Sequence, residues 1–448
     1  MKTATITELM DEIQAKADPL REGIASDYNT LLEQIGNARF VLIGEASHGT
    51  HEFYRERAEI TKRLISEMGF NAVAVEADFP DAYRVNCYVR GAGTDKNADA
   101  ALAGFERFPA WMWRNDDILE FADWLRGFNN SLGGASHVGF YGLDLYSLHT
   151  SIDAVINYLE KNDPGAAARA RERYSCFDAF GNDTQDYAYA SSLGLTESCQ
   201  NAVLQQMLEL NRRWADSEMN SGIGEREALF VAEQNGRLVT NAEEYYRTMF
   251  RSDVRSWNLR DRHMTETIAE IEKHLSADGP EAKIVVWAHN SHLGDARFTE
   301  MGRRGELNVG QLVREKYGEE TFLIGFTTHS GTVTAATDWG GPAERKRVRP
   351  SLDGSVENLF HTAGRDRFLL TMKDDGTAMR RLDGDFLERA IGVIYRPETE
   401  RQSHYFKAQP ARQFDAWIHI DETSALRPLE RTAAWESGEL PETFPTGI

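Results

Sequence analysis

Short apolar runs that each end at a polar residue constrain the fold of this chain more than any other feature of its sequence. Such runs, separated by long amphipathic stretches, are typical of buried parallel strands that are joined by helices. They predict an α/β fold with a central, mostly parallel sheet flanked by helices. The strongest runs lie at residues 39–44, 72–75, 138–143, 283–288 and 321–326, and weaker candidates lie at 367–371, 391–395 and 416–420.

The segment between the first two runs has the pattern of a crossover helix. Phe53, Ile60 and Leu64 recur at helical spacing, and Gly69 follows as the residue type that most often ends a helix. The first strand, this helix and the second strand are therefore predicted to form a β-α-β unit.

Residues 150–280 have a different character, because they are rich in Ala, Glu, Gln, Arg and Leu and have helical periodicity. We interpret them as a helical insertion, a subdomain that covers the active-site cleft. No linker rich in Pro, Gly or Ser divides the chain, and no repeat is apparent. Residues 1–448 are therefore predicted to form a single domain that contains this insertion.

Charge and composition narrow the choice of partners and location. The formal net charge of −21 disfavours nucleic acid, because phosphate binding needs a concentrated basic face. The N-terminus lacks the apolar segment of a signal peptide, and no run is long enough to cross a membrane. Cys87, Cys176 and Cys199 cannot form a closed disulfide set, which favours a reducing cytoplasm. We expect a cytoplasmic protein without nucleic-acid or membrane partners, and the sequence leaves the oligomeric state open.

Residues with catalytic chemistry follow the predicted strands. In open parallel sheets, ligands bind beyond the carboxyl ends of the strands, so residues at a shared edge would meet in one pocket. The convergence of several such residues predicts an active site there. They are Glu45, His48, Glu76, Asp144, His289 and His292.

His48 and Glu45 are the first candidates for a catalytic pair. An imidazole titrates at about pH 6.5 and suits general-base work, and a nearby carboxylate can orient the ring. Gly44 and Gly49 are expected to permit unusual backbone angles in this turn. Arg57 could pair with Glu45 or Glu76, or polarise a carbonyl group. The alternatives are a helix-capping turn for the pair and a buried ion pair with an arginine for Glu76.

A second pair of histidines follows the fourth predicted strand. His289 comes directly after Trp-Ala, where core packing is a poor explanation, so His289 and His292 are candidates for a base, an acid or an oxyanion donor. Asp144, Arg260 and His263 are expected to bind the substrate. No G-x-S-x-G, phosphate-binding or dinucleotide-binding motif follows a strand. Direct attack by an activated water molecule is therefore the preferred hydrolytic route.

The same donors leave a metal-dependent hydrolase open. The spacings of His48 with His51 and of His289 with His292 supply nitrogen ligands that zinc accepts. However, the chain has no H-E-x-x-H motif and no cysteine ligand set. We expect no cofactor and no obligatory metal, with a divalent metal ion as the alternative.

These motifs, in this order, resemble those of the erythromycin esterase family. The resemblance covers most of the chain, and several motifs keep both their order and their spacing. It rests on Gly44-Glu45-x-x-His48-Gly49, Glu52-Phe53, Arg57, Ala74-Val75-Glu76-Ala77-Asp78, Phe140-x-Gly142-x-Asp144, Asn258-x-Arg260-Asp261-x-x-Met264, Trp287-Ala288-His289-Asn290-x-His292, Gly302, Gly310, Ser403-His404-Tyr405 and Phe414-Asp415.

The resemblance implies an esterase-type α/β fold and a hydrolase that opens the lactone ring of macrolide antibiotics by adding water, which is a resistance activity. The expected partner is a small-molecule ester or macrolactone. The alternatives are a metal-dependent hydrolase and a non-catalytic protein that binds a large hydrophobic ligand. By likeness to the family, His48 would be the general base, and the rest of the essential site would be Glu45, Arg57, Glu76, His289 and His292.

Overall fold

The computed structural model describes residues 3–133, 137–181, 184–217, 223–250, 253–277, 279–372 and 382–438. Within it the chain divides into two compact units. The first unit comprises the residues up to Val73, Val85–Gly139 and the residues from Lys283 onward, and the second comprises Ala74–Arg84 and Phe140–Ala282. The prediction of a single domain stays a prediction, and each unit is described by itself below.

The described strands include every strong run that the sequence indicated. Their numbering follows chain order: β1 Asp18–Pro19, β2 Phe40–Ile43, β3 Ala72–Asp78, β4 Gly139–Asp144, β5 Ile284–Trp287, β6 Thr321–Ala335, β7 Glu344–Val348, β8 Arg367–Thr371, β9 Phe386–Arg389, β10 Tyr405–Ala408 and β11 Ala416–Thr423.

The described α-helices fill most of the intervals between these strands. They are α1 Thr3–Lys16, α2 Asn29–Ile35, α3 His51–Met68, α4 Phe79–Val89, α5 Ala98–Leu102, α6 Asp116–Ser131, α7 Leu148–Asn162, α8 Pro164–Tyr174, α9 Thr184–Ser192, α10 Gln200–Ser217, α11 Ile223–Thr248, α12 Asp253–Ser276, α13 Asn290–Leu293, α14 Glu300–Arg303, α15 Val309–Tyr317, α16 Val356–Thr362, α17 Glu400–Ser403, α18 Pro410–Gln413 and α19 Ala433–Ser437.

A β-sheet forms the core of the first unit, with its strands in the order β1-β8-β11-β6-β2-β5. The central pairs β11–β6, β6–β2 and β2–β5 are parallel, whereas β8 and β1 add antiparallel strands at one side. The far end of β6 pairs with β7. The predicted α/β fold with a mostly parallel sheet flanked by helices is confirmed.

Strand β2 shows why the apolar runs were informative. Its four residues, Phe40 to Ile43, are fully buried, because strands lie on both sides of it and helices cover a mostly parallel sheet on both faces. The predicted crossover helix is α3, and it ends at Gly69, whose φ of 72° is in the left-handed region that glycine adopts most easily.

One weaker strand prediction was wrong. Residues 391–395 form two isolated bridges, Ser47 with Ile391 and Ala336 with Ile394, rather than a strand. The apolar side chains are buried for another reason, since Ile391 and Tyr395 pack in a core cluster with Val333, Ala335 and Val348. The apolar side chains of this segment are therefore buried although its backbone forms no continuous ladder of β-sheet hydrogen bonds.

The second unit is helical over residues 148–276, as far as that part of the chain is described. Its long helices α7, α10, α11 and α12 pack on one another in the pairs α7–α11, α10–α11 and α11–α12. They correspond to the helical periodicity at 150–280. That these helices cover a cleft stays a prediction.

A disulfide joins Cys176 and Cys199 in the second unit, where the Cα atoms are 5.9 Å apart. This pair is compatible with the odd cysteine count, because three cysteines exclude a closed disulfide set but not one bond, and Cys87 is the cysteine left over. The cytoplasmic location stays a prediction. Among the described residues, none of the helices combines the length and the hydrophobicity that a membrane crossing needs.

Candidate active site

Four residues of the first unit form a compact group that we call the histidine cluster: Glu45, His48, Arg57 and His289. Glu45 and His48 lie in the turn between β2 and α3, and His289 follows β5, the parallel neighbour of β2. Because the two strands run side by side in register, their carboxyl ends place these residues together, as the sequence predicted for this part of the sheet.

The turn that carries Glu45 and His48 leaves no room for a side chain at either of its glycines, Gly44 and Gly49. A Cβ atom on Gly49 would lie 1.8 Å from the carbonyl oxygen of Thr334, and one on Gly44 would lie 2.2 Å from Oδ1 of Asn290. Neither glycine has a positive φ. The expectation of unusual backbone angles was therefore wrong, and glycine is needed here because the Asn290 side chain and the main chain of Thr334 on β6 approach closely.

His48 and Glu45 make the contact expected of a base and its orienting carboxylate. Nδ1 of His48 lies 2.9 Å from Oε1 of Glu45, and both side chains are buried. A carboxylate can only accept, so the proton of a neutral His48 ring lies on Nδ1 and its Nε2 carries the free lone pair. His48 is thereby prepared to take up a proton at Nε2.

Arg57 lies behind this pair. Its Nη2 is 2.8 Å from Oε2 of Glu45, and its guanidinium carbon lies 4.3 Å from the ring centre of Tyr54 and 5.2 Å from that of Trp287. The side chain is 1% exposed. Arg57 thus has one of the two partners that the sequence suggested, and its position suits it to hold the Glu45 carboxylate.

His289 has the opposite proton arrangement from His48. The main-chain N–H of Ser291 donates to Nδ1 of His289 at 3.1 Å, and the Ser291 hydroxyl lies 2.9 Å from the same nitrogen. Since Nδ1 accepts, a neutral His289 carries its proton on Nε2. The His48 and His289 rings are 4.9 Å apart at an angle of 54°. The cluster therefore combines one imidazole that has a lone pair at Nε2 with another that has a proton at Nε2.

Asn290, which follows His289 in the chain, connects the segment of His289 to the turn that carries Glu45 and His48. Its main-chain N–H donates to the carbonyl oxygen of Glu45 at 2.8 Å, and its side-chain amide donates to the carbonyl oxygen of Phe326 at 2.8 Å. His292, on the same short helix, is buried, and its N–H donates to the His289 carbonyl oxygen at 2.9 Å. A direct role of His292 stays a prediction.

Three predicted residues of the second unit form a separate group, the arginine cluster: Glu76, Asp144 and Arg260. Nη2 of Arg260 lies 2.7 Å from Oε1 of Glu76 and 2.7 Å from Oδ2 of Asp144, and its Nε donates to Oδ1 of Asp144 at 2.9 Å. Glu76 is thus a buried carboxylate paired with an arginine. Burial lowers the pKa of Arg260, but Asp144, Tyr146 and Glu76 outweigh it and raise that pKa well above its ordinary value.

The arginine cluster is built on the ends of β3 and β4. A Cβ atom on Gly142 would lie 2.5 Å from the carbonyl oxygen of Asp78, so a glycine is needed where the two strands meet. The side chain of Asp78 accepts the N–H of Tyr146 at 2.9 Å. The guanidinium carbon of Arg260 lies 5.1 Å from the ring centre of Tyr146. That the two clusters share one pocket stays a prediction.

His263 is a neutral, buried imidazole between two helices of the second unit. The side-chain amide of Asn241 lies 2.8 Å from its Nδ1. Burial lowers the pKa of His263 well below its ordinary value, and the charge of Arg237 lowers it further. Its expected role in substrate binding stays a prediction.

One of the histidines that were considered as metal ligands, His51, has a different partner. Nδ1 of His51 lies 2.8 Å from Oδ2 of Asp117, outside the histidine cluster. Among the residues that the structure describes, no three His, Cys, Asp or Glu side chains are arranged to hold a metal ion. The sequence thus contains residues that could bind a metal ion, but the described part of the chain does not bring three of them together as ligands.

Ser291, Asn290 and Tyr146 are parts of the site to which sequence reasoning assigned no role. Ser291 and Asn290 stand between the two predicted histidines, and Tyr146 follows Asp144 by two residues. Their position beside the predicted site residues was the only sequence feature that could have indicated a role. Their hydrogen bonds depend on the path of the backbone after each strand, which the sequence motifs do not specify.

Known proteins resemble this chain over most of its length. The family model of erythromycin esterase matches residues 65–423. An erythromycin esterase type II of Escherichia coli is 22% identical over 414 residues, which are 89% of this chain and 93% of that protein. A putative hydrolase of Bacillus subtilis (strain 168) is 24% identical over 393 residues, which are 82% of each chain.

A solved structure shares the fold. It is that of a succinoglycan biosynthesis protein, which is 20% identical and superimposes with a TM-score of 0.75 over 95% of this chain and 100% of its own. At that identity the likeness concerns the fold alone.

Proposed function

Because the chain belongs to the erythromycin esterase family of hydrolases, we propose that it cleaves carboxylic esters by direct attack of a water molecule that His48 activates. The observation that carries this proposal is the complementary pair of imidazoles. Nδ1 of His48 faces the Glu45 carboxylate, whereas Nδ1 of His289 accepts from Ser291. One ring therefore offers a lone pair at Nε2 and the other a proton.

The reaction begins when Nε2 of His48 takes a proton from water and the water oxygen forms a bond to the carbonyl carbon of the ester. The Glu45 carboxylate stabilises the imidazolium that results. The carbonyl oxygen becomes an oxyanion, to which Nε2–H of His289 donates. Arg57 holds Glu45 in place from its buried position and need not contact the substrate.

The tetrahedral intermediate then collapses. The bond between the carbonyl carbon and the alkoxide oxygen breaks, and the alkoxide takes the proton that His48 removed from water. The products are a carboxylic acid and an alcohol, or one hydroxy acid where the substrate is a lactone. No serine or cysteine nucleophile takes part, in keeping with the missing G-x-S-x-G motif.

The substrate that we propose is a macrolactone of the macrolide class. Support comes from the name of the Escherichia coli relative and from the family whose model matches this chain. Asp144, Arg260 and His263 of the second unit are proposed to contribute to substrate binding, and Asp144 and Arg260 match motifs of the resemblance. Glu76 is proposed to hold Arg260 in place through their ion pair.

The test is incubation of the purified protein with a fourteen-membered macrolide, followed by mass spectrometry. The product should gain the mass of one water molecule, and the His48→Ala variant should lose this activity while its circular dichroism spectrum is unchanged. His361→Ala is the matched control, because His361 is a half-exposed histidine of the same unit that pairs with Asp421.

Two results would contradict the proposal in different ways. Full activity in the His48→Ala variant would show that His48 is not the general base. Activity that a chelator abolishes and that zinc restores would favour the metal-dependent hydrolase, and binding of unchanged macrolide would favour the non-catalytic alternative.

A further inference from the structure

An exposed apolar surface lies on the second unit, at the end of α9 and on α10. The short segment 189–208 carries five of the eight large apolar side chains that are exposed in the described part of the chain. Apolar side chains that are exposed singly need no explanation, whereas a concentration of them marks a surface that binds another molecule. The five are Tyr189, Leu193, Leu195, Leu204 and Leu208, and they are between 43% and 73% exposed.

Helix α10 has two apolar faces. Val203 and Leu210 are buried on the inner face, where α10 packs against α11. Leu204 and Leu208 are four residues apart and therefore share a face, and both are exposed. A helix that packs on its own unit alone needs only one apolar face and is polar on the other. The second apolar face of α10 is thus available to another molecule.

The outer face of α10 carries no charge over three turns. Glu209 is the charged residue of this stretch, and it is turned toward α8, where it pairs with Arg169 and Arg173. In a chain of which 27% of the residues are charged, such a face is unusual, and depletion of charge is typical of the centre of a protein–protein interface. The exposed residues from 200 to 211 are Gln200, Asn201, Leu204, Gln205, Leu208 and Asn211.

Two opposite charges flank this outer face. Glu197 lies three residues before the first residue of α10, and Arg212 lies one residue beyond the uncharged stretch. Both residues are exposed, and in the described part of the chain neither side chain has an ion-pair partner. The next residue, Arg213, by contrast pairs with Asp163 and Glu209. The outer face is therefore acidic at one end and basic at the other.

A face of this kind is complementary to a copy of itself that runs in the opposite direction. In a two-fold symmetric dimer the same patch is used on both copies, so each end of the face meets the other end. We propose that the outer face of α10 is the centre of a homodimer interface, in which the α10 helices of two copies pack antiparallel. Leu204 and Leu208 of the two copies then pack together. Glu197 of each copy lies beside Arg212 of the other.

The shape and charge of the face favour a second copy over other occupants. Small-molecule sites are concave, whereas the outer face of a helix is convex. Helices that bind a membrane surface are rich in Lys and Arg on their polar side, whereas Arg212 is the one basic residue at the edge of this face. The inference does not depend on the proposed hydrolytic function.

The first test is the molar mass of the purified protein, measured by light scattering after gel filtration over a range of concentrations. The wild type should be a dimer. The double variant Leu204→Glu/Leu208→Glu should raise the Kd of the dimer at least about a hundredfold, because its carboxylates would be buried in the interface. Ile24→Glu, at an exposed apolar position of the first unit, is the control and should leave the dimer intact. Circular dichroism spectra should be the same for all of these proteins.

A charge-reversal experiment tests the antiparallel arrangement itself. Glu197→Arg and Arg212→Glu each place like charges at both ends of the interface, so each should raise the Kd of the dimer about tenfold or more. An equimolar mixture of the two variants should recover the wild-type Kd, because in the mixed dimer both contacts join opposite charges.

Three results would overturn the inference. The first is a wild type that is monomeric at every concentration up to its solubility limit. The second is a dimer that survives in Leu204→Glu/Leu208→Glu, which would place the interface on another surface. The third is a mixture of the two charge variants that associates no better than either variant alone.

Discussion

Oε2 of Glu45 lies 2.8 Å from Nη2 of Arg57, and each residue is 1% exposed. The other oxygen of the same carboxylate faces His48. The ion pair therefore fixes the orientation of the carboxylate that contacts His48. In the proposed mechanism, Arg57 would affect the reaction without contacting the substrate.

Removal of Arg57 should cost both stability and rate. Arg57→Ala would leave the Glu45 carboxylate buried without its cation, a change that costs about 3–5 kcal/mol in comparable buried pairs. We expect the free energy of unfolding in urea to fall by an amount of that order, and kcat to fall by at least about a hundredfold. Arg304→Ala, at an exposed position, is the control and should change stability by less than about 0.5 kcal/mol. Wild-type stability in Arg57→Ala would contradict the structural role given to the pair.

Ser291 should affect the rate through the proton arrangement of His289. Its hydroxyl lies 2.9 Å from Nδ1 of His289, where it favours the tautomer with a proton on Nε2. Ser291→Ala retains the main-chain N–H but loses the hydroxyl, so we expect kcat to fall by about tenfold with KM nearly unchanged.

The matched control for Ser291→Ala is Ser66→Ala. Ser66 is an exposed serine of α3 whose hydroxyl bonds within its own helix. A rise in KM at constant kcat in Ser291→Ala would show that Ser291 contacts the substrate instead of orienting His289.

Much of the fold could be predicted, because burial in a parallel sheet leaves a direct trace in the sequence. The apolar runs before Glu45 and His289 correspond to β2 and β5, and the polar residues after them lie where parallel strands place them. The apolar run at 391–395 was wrongly predicted to be a strand, because burial in a cluster of side chains gives the same apolar sequence pattern as burial in a strand.

The site was predicted less completely than the fold. Arg260 lies 116 residues from Asp144 in sequence, so the choice of its partners depends on how the helices of the second unit pack. The tautomers of His48 and His289 depend on hydrogen bonds of their Nδ1 atoms that the spacing of the motifs does not encode.

Acid should destabilise the chain through a second group of histidines in the first unit. The rings of His329 and His361 stack at 3.6 Å, and Oδ1 of Asp421 lies 2.6 Å from Nδ1 of His361 and 3.3 Å from Nε2 of His419. Burial lowers the pKa of His329, and the electrostatic interaction with the neighbouring His361 lowers it further. Burial also lowers the pKa of His419.

A histidine whose pKa is lower in the folded state binds protons more readily when unfolded. Stability is then complete above the unfolded pKa and declines as the pH falls through about 6.5. We expect the urea midpoint to fall between neutral pH and about pH 5, and His329→Phe, which keeps a stacked ring without a charge, to reduce that slope. Equal slopes in the wild type and His329→Phe would show that this group does not contribute.

The disulfide between Cys176 and Cys199 should contribute measurably to the stability of the second unit. The two residues are separated by 23 positions, and closing a loop of that size stabilises a folded chain by about 3 kcal/mol in the chain-entropy description. Protein purified under oxidising conditions should therefore lose stability on reduction, and the double variant Cys176→Ser/Cys199→Ser should match the reduced protein. Cys87→Ser is the control, because Cys87 lies outside the disulfide and its replacement should leave the effect of reduction intact. If oxidised and reduced proteins unfold at the same urea concentration and contain the same number of cysteines that react with a thiol-labelling reagent, the two cysteines are not bonded in solution.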